Sequence, residues 1–144
     1  HIRVAYDDPC HLCPGQGIRQ PPRTLLAQLP GLELVAHERA EDCCGSAGIY
    51  NLLQPELAGS IGKTKAEYLL AANVDMVVTG NPGCMMQLDS HLRSTGHPVP
   101  VRHLVESNRC EELLERMVGR GENIGSKLVS HVCGRGLCSR RCSC

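Results

Sequence analysis

Ile2–Tyr6 is a short apolar run ended by Asp7-Asp8-Pro9, and it predicts a strand. Pro21-Pro22 opens a helix over Arg23–Leu29, because proline is tolerated in a first turn, and Pro30-Gly31 stops it. Leu32–Ala36 predicts a second strand. A longer helix runs from Pro55 to about Ala72, with Leu57, Ile61, Tyr68, Leu69 and Ala72 as its apolar face and Lys63 and Lys65 on a solvated one. Asp75–Thr79 predicts a buried third strand. Asn81-Pro82 has the form of an N-cap followed by proline at the first helical position. Met85, Leu88 and Leu92 then recur at helical spacing before Gly96, with Met85-Met86 read as packing residues. Val99–Arg102 predicts a short fourth strand. Leu104–Val118 predicts a last helix, with Cys110, Leu113, Leu114, Met117 and Val118 on one stripe and Glu112→Arg116 as a supporting pair.

Strands that alternate with helices favour parallel pairing and right-handed crossovers. The expected fold is therefore α/β, a three-layer sandwich with a mainly parallel sheet of about four strands. In such a sheet Cys10 follows the first strand, Cys43-Cys44 the second and Cys84 the third. All four positions fall at the carboxyl edge of the strands, where open α/β sheets bind ligands. The pattern thus predicts that thiols far apart in sequence converge.

Composition sharpens this picture. Ten of the 144 residues are cysteine, while aromatic residues make up 2% and Trp and Phe are absent. Fifteen Lys+Arg balance fifteen Asp+Glu, so no overall field draws the chain to nucleic acid or to an anionic membrane. The neutrality is a cancellation. Residues 1–119 hold ten Lys/Arg and fourteen Asp/Glu (10 − 14 = −4), and residues 120–144 hold five and one (5 − 1 = +4). Two segments are expected to meet at Gly119-Arg120-Gly121: a domain over 1–119 and a basic tail over 120–144 that is either disordered or an aberrant, out-of-frame or chimeric end. Cys133, Cys138, Cys142 and Cys144 in the tail match no zinc-module spacing, and no aromatic residue there could stack a base. No run approaches the ~18 apolar residues of a membrane span. The opening HIRVAY, without Met or a signal-like segment, predicts a piece of a longer, cytoplasmic protein, where thiols stay reduced and clustered cysteines favour metal or redox chemistry over disulfides.

Cys84 falls in the first turn after Asn81-Pro82, where free N–H groups favour a thiolate. Gly45, Gly48, Gly80 and Gly83 flank the cysteines and leave room for close backbone approach to a metal centre. Cys13 makes a local C-x₂-C with Cys10, and His11 and His103 are further candidate ligands beside the same edge. As a set, the cysteines are open to four readings: buried small hydrophobes, an iron–sulfur centre, a zinc site, or a dithiol/disulfide pair.

Asp8-Pro9-Cys10-His11-Leu12, Cys43-Cys44-Gly45-Ser46-Ala47-Gly48 and Gly80-Asn81-Pro82-Gly83-Cys84-Met85-Met86-Gln87 resemble, in order, the cysteine-rich "CCG" domain of heterodisulfide-reductase-type proteins. Tyr50-Asn51-Leu52-Leu53-Gln54-Pro55-Glu56-Leu57 and Pro100-Val101-Arg102-His103 extend the likeness, which spans about residues 2–119 and is greatest to iron–sulfur subunits of glycolate oxidase (glycolate dehydrogenase). The resemblance implies an electron-transfer domain whose Cys10, Cys43, Cys44 and Cys84 hold an iron–sulfur cluster of the 4Fe-4S type. It implies flavin-containing partner subunits that oxidise the hydroxy acid, and electron delivery towards an acceptor at the cytoplasmic face of the inner membrane. Substrate oxidation is not assigned to this domain, so no catalytic residue is expected. The broader family motif ends in C-x₂-C, and Gln87 stands at its second cysteine here. That substitution keeps a structural Cys₄ zinc site in an interface domain as an alternative, beside a dithiol/disulfide redox domain.

Overall fold

In a computed structural model of the chain, residues 1–96 and 98–107 are described. The expected boundary at 119/120, the tail, most of the last helix, and Cys110, Cys133, Cys138, Cys142 and Cys144 lie outside them. The elements in chain order are β1 (Ile2–Asp7), α1 (Cys13–Gln16), α2 (Gln20–Ala27), β2 (Leu32–Val35), α3 (Tyr50–Leu53), α4 (Pro55–Ala71), β3 (Met76–Thr79), α5 (Pro82–Ser94), β4 (Val101–His103) and α6 (Leu104–Ser107).

The strands form one sheet in the order β2-β1-β3-β4, and every pairing is parallel. The α/β architecture with a four-stranded parallel sheet is therefore as expected. Pairing puts Ala5 beside Val77 and Val77 beside Val101, so these residues make one row on one face. Ala66 and Leu69 of α4 and Leu88 and Leu92 of α5 cover that row, each at most 1% exposed. Burying each of the three leucines contributes roughly 1.5–3 kcal/mol. Val4, Tyr6 and Val78 point to the opposite face, where Arg23 of α2 stands 5.2 Å over the Tyr6 ring. Helices thus lie on both sides of the sheet. This is what right-handed crossovers require when β1 connects one way to β2 and β2 crosses back past β1 to β3.

The buried face of α4 overlaps the expected one in part. Leu69 is buried and Ala72 packs against the core as expected, but Ala58, Gly62, Lys65 and Ala66 also point inward, and Leu57 is 55% exposed. Small residues face in because α4 and α5 pack closely: a Cβ on Gly62 would come within 2.4 Å of the His91 ring. Lys63 is exposed as expected, but Lys65 is 2% exposed and not solvated. Met86 is also corrected, since it is 71% exposed; Met85 packs against the core. The one-turn helices α1 and α3 were not foreseen, and each is too short to develop a period.

Candidate metal centre

The sheet topology delivers each thiol to the carboxyl edge. Cys10 lies in the turn after β1, and its carbonyl accepts from the Gly15 N–H at 3.0 Å. Cys43 and Cys44 lie in the connection between β2 and α3. Cys84 is the third residue of α5. The expected cap is present: the Asn81 side chain accepts from the Gly83 N–H at 2.7 Å and from the Cys84 N–H at 3.2 Å. The Asn81 amide also meets His11 Nδ1 at 3.1 Å, which ties the start of α5 to the turn carrying Cys10.

The thiols stand as two pairs. Cys44 Sγ and Cys84 Sγ are 3.0 Å apart, both buried and both free thiols. They belong to the same core cluster as Leu88 and Leu92. Cys10 and Cys43 are each partly exposed and interact through their side chains. The Gly45 N–H donates to Cys43 Sγ at 3.3 Å, the kind of backbone donor that stabilises a thiolate.

Electrostatics follows the pairing. The Cys84–Cys44 hydrogen bond lowers Cys44 to about 7, and the same contact, with burial and the Cys44 charge, pushes Cys84 up. The two sulfurs hold one proton tightly between them, so the values belong to the pair. For the free thiol, burial and Cys44 outweigh the helix N-terminus that led us to expect a Cys84 thiolate. Burial also pushes Cys43 up, with the Gly45 N–H opposing and Cys44 and Cys10 adding to it.

Gly45 has φ +90°, and a Cβ there would lie 2.5 Å from the Ala58 carbonyl oxygen of α4. A Cβ on Gly83 would lie 2.9 Å from Ser46 Oγ. These glycines are required by the packing of the cysteine loop on α4 and α5, a protein–protein cause where a metal-facing one was expected.

The remaining candidates have other partners. Cys13 is 1% exposed in α1, and its electrostatic neighbours include Tyr6 and Arg23, on the opposite face of the sheet. His11 is exposed and engaged with Asn81. His103 ends β4 beside Thr79, and its Nδ1 accepts from the Val105 N–H at 3.3 Å. Gln87 bonds to the Ala58 carbonyl at 3.3 Å and to His91 at 3.3 Å, so it ties α5 to α4.

Sequence reasoning missed a buried polar group under the thiols. Lys65 Nζ lies 2.7 Å from the Arg39 carbonyl, 2.9 Å from that of Ala40 and 3.0 Å from that of Asp42. It is also 2.8 Å from Asp7 Oδ1. An ammonium has three protons, and the carbonyls take them. Asp7 Oδ1 is accordingly buried beside the cation without an aligned donor. Burial raises Asp7 to about 6, against the lowering effect of Lys65. His37 Nε2 lies 4.0 Å from Asp7 Oδ1, and burial with the Lys65 charge lowers His37 to about 4. His37 Nε2 and Thr79 Oγ1 are likewise buried without partners. A polar position inside a helical stripe at Ala58, Gly62, Ala66 and Leu69 was the signal that could have revealed Lys65.

The donor set suits a thiophilic metal or cluster: cysteine sulfur from the segments after three strands, one of them already accepting a backbone N–H. Among the described residues no three His, Cys, Asp or Glu side chains gather closely enough to hold a single ion. Nor is any helix among them long and apolar enough to cross a membrane.

Three curated relatives are similar to this chain. A fumarate reductase (CoM/CoB) subunit of Methanothermobacter marburgensis is 45% identical over 96 residues, 67% of this chain and 20% of the relative. A "Probable glycolate oxidase iron-sulfur subunit" of Bacillus subtilis is 37% identical over 105 residues, 72% of this chain and 24% of the relative. "Lactate utilization protein A" of Oceanobacillus iheyensis is 31% identical over 104 residues, 72% of this chain and 43% of the relative. The chain thus spans from a fifth to under half the length of these relatives, some of which are named as subunits of oxidoreductases. Residues 4–89 match the model of the family described as "CCG: Cysteine-rich domain", and the chain belongs to that family.

Proposed function

We propose that this domain is the electron-carrying part of an iron–sulfur subunit, in which Cys10, Cys43, Cys44 and Cys84 hold a cluster of the 4Fe-4S type. The domain extends over residues 1–119 in this reading, with 120–144 as a separate tail. Flavin-containing subunits of a complex that oxidises a 2-hydroxy acid such as glycolate donate the electrons. An acceptor at the cytoplasmic face of the inner membrane takes them.

The observation that carries this reading is the placement of four thiols, in the segments after three separate strands, at the carboxyl edge of one parallel sheet, where they stand as two pairs. The Cys44–Cys84 contact at 3.0 Å is closer than the sulfurs of a metal site stand, about 3.8 Å around one zinc ion with Zn–S bonds of about 2.3 Å, so the pair must open to take up metal of any kind. The relatives' names, an iron-sulfur subunit among them, support the same chemistry. A bound cluster supplies one-electron storage, with its potential set by burial and by hydrogen bonds to sulfur. The chain's own residues supply those conditions. Gly45 donates to the Cys43 sulfur, and Leu88 with Leu92 keeps water from the Cys44–Cys84 side.

A second reading has one observation behind it. Cys44 and Cys84 at 3.0 Å are close enough to act as a dithiol/disulfide couple. Anaerobic purification with metal and acid-labile sulfide analysis and EPR separates the readings. Iron with sulfide and an EPR signal is expected. Stoichiometric zinc without a signal would replace the cluster with a structural site. A metal-free protein with fast thiol–disulfide exchange would establish the dithiol reading. A Cys44→Ser variant that retains the full metal content would remove Cys44 from the ligand set.

A further inference from the structure

A fully buried lysine is costly unless its charge and protons are matched. Lys65 is matched on both counts, and its partners sit immediately before the vicinal cysteines. Its three protons go to the carbonyls of Arg39, Ala40 and Asp42, at 2.7, 2.9 and 3.0 Å. Its charge is balanced by Asp7 at the end of β1, at 2.8 Å. Arg39 has φ +54°, so the turn it opens needs outside support. That turn has its own Asp42 N–H to Arg39 carbonyl bond at 3.0 Å, and the Ala40 carbonyl also accepts from the Asp8 N–H at 3.1 Å. Beyond Cys44 the loop is gripped again by α4, where Gly45 abuts the Ala58 carbonyl. Ala58 and Lys65 are two helical turns apart on the same face of α4. The vicinal cysteines are therefore held between two fixed points on one helix.

We infer that Lys65 is the positioning residue of the Cys43-Cys44 loop: by clamping the Arg39, Ala40 and Asp42 carbonyls it sets where these two sulfurs stand relative to Cys10 and Cys84. The inference rests on the reading of those thiols as the ligands of a metal centre. Lys65 touches no thiol and acts through the loop. Its ammonium is a point donor with three rotatable protons, which suits three converging carbonyls, whereas the planar guanidinium of arginine does not.

The test uses the full chain purified anaerobically, as wild type, Lys65→Met and Lys65→Arg, with Leu26→Ala, at a 0% exposed position of α2 outside the cluster that holds Cys44 and Cys84, as a destabilised control. Iron per chain, the EPR spectrum, the midpoint potential and the half-life of iron under chelator challenge are measured. Both Lys65 variants are expected to show a changed EPR signature and potential, and a half-life shortened roughly tenfold, the scale of losing a support behind a ligand. Leu26→Ala is expected to keep the wild-type signature and potential. Lys65 variants that keep the wild-type spectrum, potential and half-life overturn the inference, as does a Leu26→Ala variant that shifts as they do. If Lys65→Met does not fold, Lys65→Gln, whose amide keeps two donors, replaces it; if neither folds, Lys65 is a folding residue only and the inference falls. A wild-type chain without iron overturns the cluster reading instead. The clamp is then read with Co²⁺ through its thiolate-to-metal absorption, expected roughly tenfold weaker in affinity for Lys65→Met and unchanged if the inference is wrong.

Discussion

Alanine at Gly45 and alanine at Gly48 are the same chemical change, three residues apart in one loop, and they should have different costs. Both glycines have positive φ, +90° and +69°. An L-residue there costs roughly 1–2 kcal/mol. At Gly48 the new Cβ meets nothing within 4 Å, so that is the whole effect. At Gly45 it would lie 2.5 Å from the Ala58 carbonyl oxygen, 3.3 Å from the carbonyl carbon and 3.4 Å from Cα. All three are backbone atoms inside α4 and cannot swing aside. Overpacking of this kind adds about 1–3 kcal/mol. Gly48→Ala should therefore cost about 1–2 kcal/mol, and Gly45→Ala about 2–5 kcal/mol. The latter is a large part of a total stability of about 5–15 kcal/mol. Urea unfolding of the full chain, reduced and with chelator present so that no metal masks the difference, reads this directly. With slopes of about 1–3 kcal/mol/M, the midpoint of Gly45→Ala should fall below that of Gly48→Ala by roughly 1 M. Midpoints within about 0.2 M of each other would refute the claim that close approach of α4, and not backbone conformation alone, demands glycine at 45.

Stability near pH 5 should reflect two opposed titrations. His37, lowered to about 4 in the fold, titrates near 6.5 when unfolded, so its contribution is present above pH 6.5 and lost as pH falls towards 4. Asp7, raised to about 6, titrates near 3.9 when unfolded, so its contribution is present below about pH 4 and lost as pH rises through 6. In urea titrations from pH 7 to 4, Asp7→Asn should steepen the acid loss and His37→Gln should reduce it; identical slopes in both variants would contradict these signs. Leu69→Ala, at a position 0% exposed over the Ala5–Val77–Val101 row, should cost about 2–5 kcal/mol in the same assay. Asn81→Ala removes the acceptor for the Gly83 and Cys84 N–H groups and should cost about 1 kcal/mol, with an unchanged midpoint counting against the cap. Chelation of the wild type should leave the far-UV circular dichroism of the sheet and helices in place and increase the rate of thiol alkylation.

The strands and their thiols were legible because the relevant signals are local. β1 and β3 are short apolar runs closed by Asp7-Asp8-Pro9 and by Gly80, β2 and β4 are opened by Pro30-Gly31 and Pro100, and parallel topology then puts the residues after β1, β2 and β3 at one edge. The Asn81 cap was legible for the same reason: cap, proline and helical period follow one another directly. The inward face of α4 was not. Leu57, Ile61 and Tyr68 outweigh Ala58, Gly62 and Ala66 in any apolar count, yet close helix–helix approach selects the small residues. Lys65 was read as solvated because a charged side chain ordinarily is, and its partners are backbone carbonyls that no residue pattern displays. The placement of Cys13 was equally hidden. A C-x₂-C spacing says that two thiols can meet, and α1 turns the second towards Tyr6 and Arg23.

The small inward residues of α4 and its buried lysine together explain how the loop is ordered. A metal site that assembles its own fold, as in zinc fingers, holds no geometry until the metal binds. Here α4 lies on the central strands through Ala66 and Leu69, and it fixes the cysteine loop before the thiols through Lys65 and after them through Ala58. The cost of gathering Cys43, Cys44 and Cys84 at one edge is thus met by hydrophobic burial and by backbone hydrogen bonds that do not involve sulfur. In the proposed cluster reading, metal would then act on preplaced ligands. The two pairs would have to separate or rotate about a centre, and the Cys44–Cys84 proton would have to leave. That proton is the part of the site most directly opposed to metal, because burial and the shared hydrogen bond hold it on the pair. Loading should therefore be limited by deprotonation and not by folding, so the affinity of the site depends on pH through the thiols, while the stability of the sheet follows Asp7 and His37 instead.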